Sequence, residues 1–205
     1  VDWVKIFASQ SSRAGGTPTY SEEQLRWMVD EATKAGLPVS SHAHAAEAVR
    51  RSVVAGARTI EHGALVDEAT LALMKERATY YSPNLYLSEY YLEHGDEFGY
   101  DEEELEWTRR LLPPRTEIFG KAAAMGVKIL YGTDANSGWV WSGDTAIEFV
   151  RRVAAGQTPK GALVSATTLA AEALMMEDRV GDLKAGLLAD VVAVDGDPLS
   201  DISAV

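Results

Sequence analysis

Four side chains able to serve a metal ion fall at the ends of short apolar runs. Lys5 follows the run 1–4, His42 closes the run 37–42 (LPVSSH), His62 closes the run 57–62 (ARTIEH), and Asp134 closes the run 127–134 (VKILYGTD). Where such runs are parallel strands, their carboxyl ends share one face, and side chains distant in sequence converge there. One His or Asp at a strand end is more often a loop anchor than a ligand. Four together reverse that weighting, because the chain has 4 histidines in all and two of them end successive runs. Neutral imidazoles and a carboxylate bind a divalent cation, which lowers the pKa of a bound water to about 7 and polarises a scissile carbonyl or phosphoryl oxygen. Asp134 suits the base role, taking a proton from that water and later giving it to the leaving group. His44, two residues past His42, stands just beyond the expected strand end, where it is placed to donate to a substrate carbonyl or to bond backbone at a helix start. His94 lies in an acidic stretch and reads as solvent-exposed.

The composition bounds what else the chain does. Its 205 residues, 46% hydrophobic and 24% charged, suffice for one or two domains without disulfide or metal staples. With 31 acids against 19 bases the net charge is −12, which repels phosphate backbones and anionic lipid, so neither nucleic acid nor a membrane is an expected partner. The absence of cysteine excludes disulfides, thiolate nucleophiles and sulfur-held metals. No run approaches the roughly 20 apolar residues of a membrane span, and no secretory leader is visible, so a cytoplasmic location is expected. The chain opens directly on an apolar run, as a fragment would. A dinucleotide site lacks its Gly-x-Gly-x-x-Gly, a phosphate loop lacks its Lys-Ser/Thr, and a serine hydrolase lacks its Gly-x-Ser-x-Gly.

The elements that must position these residues alternate in type. Ser21 and Gln24 have capping-box spacing, Leu25, Met28, Val29 and Ala32 recur at helical intervals, and Gly36 with Pro38 ends the segment. The strand 37–42, a helix over 45–55 stopped by Gly56, the strand 57–62, a helix over 67–77 and a strand over 78–85 ending at Pro83 follow. Residues 88–108 mix aromatics with nine carboxylates and read either as a helical excursion over a site or as a solvated helix. A helix ending near Gly126, the strand 127–134, helices over 145–155 and 159–175, and a strand over 189–195 complete the pattern. Trp139 and Trp141, just after Asp134, are candidates for a pocket wall. Alternating β and α units predict an α/β fold around a parallel sheet.

The segments Val4-Lys5-Ile6-Phe7-Ala8-Ser9, Pro38-Val39-Ser40-Ser41-His42-Ala43-His44, SVVAGARTIEHG over 52–63, and Leu130-Tyr131-Gly132-Thr133-Asp134 together resemble the amidohydrolase superfamily, in its imidazolonepropionase-like and Xaa-Pro or Xaa-Arg dipeptidase-like branch. The tail RVGDLKAGLLADVV, over 179–192, resembles the segment by which such chains leave the barrel for a small β-sandwich. The resemblance implies strands four to eight of a (β/α)8 TIM-type barrel over 1–178 and a partial β-sandwich over 179–205. It implies a binuclear zinc or other divalent centre, with Lys5 carboxylated and bridging, His42 and His62 on the second metal, and Asp134 binding metal and shuttling the proton. His44 falls where relatives polarise the substrate carbonyl, and Asn84 and Tyr86 fall in the strand-seven segment lining the pocket. The implied activity is hydrolysis of amide, dipeptide-like or cyclic amide bonds, by a homo-oligomer. The family's strand-one His-x-His has no counterpart here, so full activity is expected to need a missing N-terminal portion. The alternatives are a catalytically silent half-barrel that serves as an interaction module, and a metal-dependent esterase or phosphotriesterase.

Overall fold

The computed structural model describes residues 1–135 and 145–205. The chain divides into two compact units, the first formed by Val1–Pro83 with Lys121–Ile129 and the second by Asn84–Gly120 with Leu130–Val205.

In the first unit, β1 (Val4–Phe7), β2 (Val39–Ala45), β3 (Thr59–Leu65) and β4 (Tyr80–Ser82) form one parallel sheet in sequence order. Helices α1 (Glu22–Lys34), α2 (Ala46–Ala55) and α3 (Glu68–Glu76) make the crossovers that parallel pairing requires. Each helix is bounded by the residues that the spacing picks out. Gln24 N–H donates to Ser21 Oγ at 3.2 Å while Ser21 N–H donates to Gln24 Oε1 at 2.9 Å, closing the capping box of α1. Asp67 accepts from Thr70 N–H at 2.8 Å to cap α3, and Gly56 ends α2 with a left-handed φ of 98°. Leu25, Val29 and Ala32 of α1, Val49 and Val53 of α2, and Leu71 and Met74 of α3 are buried, as are Ile6, Val39, Ala43, Ile60 and Tyr81 of the sheet. The expected strand 127–134 shrinks to one parallel bridge, Tyr81 to Ile129, with Tyr81 N–H donating to Lys128 O at 2.9 Å.

The second unit is helical. It holds α4 (Leu85–His94), a 3-10 turn at Gly95–Phe98, most of α5 (Glu102–Met125), α6 (Ile147–Ala154), α7 (Pro159–Ala166) and α8 (Thr168–Ala173). The single helix expected over 159–175 breaks at Thr167, whose φ of −123° and ψ of −99° leave the helical region. Tyr86, Leu87 and Tyr90 form one buried cluster, and Phe149, Ala162 and Ile202 another. The expected strand over 189–195 does not form: those residues are exposed, Val192 at 85%, and no described segment offers them a ladder partner. No helix among the described residues is long and apolar enough to cross a membrane.

Candidate metal centre

His42, His44 and His62 each present a ring nitrogen, and the three ligand atoms lie within 4.8 Å of one another. The ring centroids of His42 are 4.7 Å from those of both His44 and His62, and His44 stacks on His62 at 4.9 Å. His44 is buried and the other two are half-buried. The grouping begins in β2, which continues to Ala45, three residues past its expected end. His44 therefore lies inside the strand, and the two-residue period puts it on the same face as His42. His62 arrives differently. Glu61 pairs with His42 and His62 with Ala43, so regular pleating turns His62 to the face opposite His42. Instead His62 takes a left-handed φ of 72°, the β2–β3 register shifts between Ala43 and Ala45, and the imidazole swings to its partners.

Two glycines make this geometry possible. Gly63 has a φ of 51°, and a Cβ there would lie 2.7 Å from Tyr81 Cε2, so only glycine follows His62 through the bend. A Cβ on Gly16 would lie 2.6 Å from Ala45 N and 2.8 Å from His44 Cβ. The loop after β1 thus packs on the backbone of β2, and Ser9 Oγ accepts from His44 N–H at 3.0 Å.

The electrostatics keep the imidazole of His42 neutral. Burial is the largest cause of its lowered pKa and the Lys5 ammonium adds to it, with Glu61 acting in the opposite sense. A neutral imidazole is the form that ligates a metal. Lys5 Nζ donates to Ser40 Oγ at 3.2 Å, Ser40 Oγ donates to Glu61 Oε1 at 3.0 Å, and Thr59 Oγ1 donates to the same oxygen at 2.6 Å. Sequence reasoning missed Glu61 and Ser40. Their signal is parity: Ser40 and His42 lie two apart on β2, and Glu61 is His42's register partner.

The other sequence-predicted residues belong to the second unit. Asp134 has a φ of 57° and Asn84 a φ of 54°. Asn84 and Tyr86 are buried, and Ala135, next to Asp134, packs against the cluster of Tyr86, Leu87 and Tyr90. The described non-glycine residues with positive φ are His62, Ala78, Asn84, Asp134 and Met175. Ala78 and Met175 follow helix ends, where such a turn is common. The remaining three are all residues that the sequence reading places in the site, and strained backbone concentrates at functional positions. His94 is 35% exposed and bonds Glu97 through Nδ1 at 3.0 Å, as a surface residue does. Trp139 and Trp141 lie outside the described residues.

With this geometry in view, comparison with known proteins decides the family. The amidohydrolase family model matches residues 9–205. The chain belongs to the amidohydrolase family. An ochratoxinase of Aspergillus niger is 31% identical over 185 residues, which are 89% of this chain and 38% of that enzyme. The crystal structure of a Xaa-Pro dipeptidase with bound methionine in its active site superposes with a TM-score of 0.89 at 34% identity, covering 100% of this amidohydrolase chain and 51% of that one. A prolidase complexed with N-methylphosphonate-L-proline gives 0.82 at 35% identity, with coverage of 98% and 50%. The chain thus spans about half the length of these solved relatives, and its sheet is part of their TIM-type barrel. A cluster of three imidazoles, in a chain with no thiol, fits the divalent cations that amidohydrolases use.

Proposed function

We propose that this chain carries the metal centre and part of the substrate pocket of a metal-dependent hydrolase acting on amide or peptide bonds, of dipeptide-like or cyclic amide substrates. The mutual approach of the His42, His44 and His62 ring nitrogens within 4.8 Å carries this reading. A binuclear centre of zinc or another divalent ion would, when bound, supply the Lewis acidity that polarises the scissile carbonyl and acidifies a water molecule. His42 and His62 would hold it, and His44, expected to contact the substrate carbonyl, is placed to ligate as well. Lys5 contributes as a carbamate, since a plain ammonium has no lone pair to offer. Ser40, whose hydroxyl Glu61 fixes, would accept from the carbamate N–H and so orient it.

Asp134 takes the proton of the attacking water and returns it to the leaving nitrogen. Asn84 and Tyr86 line the substrate pocket. In this reading residues 1–178 belong to the C-terminal part of the barrel and 179–205 to the segment that leaves it; the working enzyme is further proposed to include the rest of the barrel, to associate with itself and to act in the cytoplasm. The test is hydrolysis of Xaa-Pro and Xaa-Arg dipeptides beside an aryl ester and a phosphotriester by the full-length protein, with and without a chelator. Chelator-sensitive dipeptide cleavage restored by zinc is expected. Activity confined to the esters, or indifferent to the chelator, would overturn the reading.

A further inference from the structure

Within the second unit, α6 carries an ion pair with both side chains fully buried: Arg152 Nε donates to Glu148 Oε1 at 2.7 Å. Glu148 spends its remaining bonding capacity on backbone beside Asn84, and Arg152 divides its own between Leu130 O and Ser165 Oγ. Glu148 Oε1 accepts from Leu85 N–H at 3.1 Å and Oε2 from Tyr86 N–H at 2.7 Å. It thereby caps α4 from another helix, since the side chain of the N-cap residue, Asn84, makes no capping bond. Arg152 Nη2 donates to Leu130 O at 2.7 Å, and its guanidinium stands 5.0 Å from the Tyr131 ring centre, just upstream of Asp134. Arg115, buried on α5, donates to Ser88 Oγ and to Asn84 O, the latter at 3.2 Å.

These bonds surround a residue in an uncommon state. Asn84 has φ 54° and ψ 60° and is 3% exposed, and its Oδ1 is buried with no hydrogen-bond partner among the described residues. Native structures rarely leave a buried acceptor unmet, and one that persists at a candidate site points to a functional role. A buried ion pair is itself a poor source of stability, because apolar residues of similar volume do as well. What apolar residues cannot do is bond the Leu85 and Tyr86 N–H groups that follow Asn84, and Leu130 O. We propose that Glu148 and Arg152, with Arg115, are positioning residues that hold the Asn84 carboxamide oxygen ready to accept a hydrogen bond from an N–H group of a dipeptide-like substrate. The substrate class rests on the hydrolase reading, whereas the positioning rests on the hydrogen bonds alone.

The test uses the full-length protein stripped of metal, so that Ala-Pro binds without turnover and its affinity is read by calorimetry. Asn84→Gly keeps the left-handed backbone without strain and is expected to weaken Ala-Pro binding roughly 10-fold. Asn84→Asp, which keeps an acceptor oxygen and tolerates the same backbone, is expected to restore it. The double variant Glu148→Met/Arg152→Met removes both charges together. It is expected to fold with a lowered Tm, because the Leu85 and Tyr86 N–H groups and Leu130 O lose their partners, to lose affinity roughly 10-fold, and to exchange the Leu85 and Tyr86 amide hydrogens at least about 10-fold faster. Wild-type affinity in the double variant and in Asn84→Gly, or no Ala-Pro binding by wild type, would overturn the proposal. If the double variant does not fold, the Asn84 pair of variants decides the matter. Should Ala-Pro bind in this pattern while the metal-loaded protein hydrolyses nothing, the hydrolase reading falls and the positioning stands.

Discussion

The imidazoles of His44 and His62 stack with their planes 19° apart, although regular pleating would send His62 to the face of β3 that His44 does not share. One left-handed residue and one register shift bring them together. The centre is therefore built from two kinds of local structure. The β2 pair follows ordinary strand alternation, and the third imidazole depends on a bend that costs conformational energy and needs glycine beside it.

That dependence is open to test at Gly63. Gly63→Ala combines a left-handed φ with a Cβ driven to 2.7 Å from the Tyr81 ring. The variant is expected to lose about 1–3 kcal/mol of stability, which lowers Tm by roughly 2–4 °C per kcal/mol in a domain of this size. It should also lose metal affinity, because the bend aims His62. Thermal unfolding and a zinc titration, run together, check both effects. An unchanged zinc affinity would show that the bend does not serve the metal.

Removing the imidazoles one at a time distinguishes a shared centre from isolated histidines. His42→Ala, His44→Ala and His62→Ala are each expected to weaken zinc binding by more than roughly 100-fold, beyond the range seen when only an outer partner of a ligand is lost. His94→Ala, on the exposed end of α4, is expected to leave zinc binding as it was. Competition with a chromophoric chelator measures all four. Should His44→Ala bind zinc like wild type, its role narrows to the substrate.

The lowered pKa of His42 gives a pH dependence of definite sign. An unfolded histidine titrates near 6.5 and the folded one lower, through burial first and the Lys5 charge second. The unfolded chain thus takes up the proton more readily, so the stabilising contribution is complete above pH 6.5 and is lost as pH falls through the folded value. Glu22 and Glu47, held below the ordinary 4.5 by hydrogen bonds from arginines, Glu47 at about 2, act only at more acid pH. The urea midpoint of the metal-free protein is expected to hold steady above pH 7 and to fall as the pH drops below 6.5. His42→Asn should flatten that fall. A midpoint that rises on acidification in this window would contradict the account.

How much of this was legible beforehand follows from the range of the interactions involved. Ser21 and Gln24, Asp67, Gly56 and Pro83 mark their boundaries through bonds within a few residues, and the structure places element ends beside each of them. The sequence also shows that His42 and His62 fall near the carboxyl ends of adjacent parallel strands, but not the bend that turns His62 to the face of His42. The expected strand end at His42 leaves His44 outside, whereas the ladder between β2 and β3 runs on past the histidines, to a pairing of Ala45 with Leu65. Chain-local signals carry no information about such a pairing. The partners of Glu148 are similarly hidden: Leu85 and Tyr86 lie 63 and 62 residues away, and nothing in IEFVRRVA separates a buried ion pair from an exposed one on a helix surface. The strand expected over 189–195 has the composition of a strand but no described neighbour to pair with.

The central claim is that these imidazoles form a metal centre, and elemental mass spectrometry on the purified full-length protein tests it most directly. A binuclear centre predicts about two divalent ions per chain, retained through dialysis and reduced in His42→Ala and His62→Ala. A wild-type protein that carries no divalent metal after dialysis against zinc, or one whose metal content is unchanged in both variants, would contradict it.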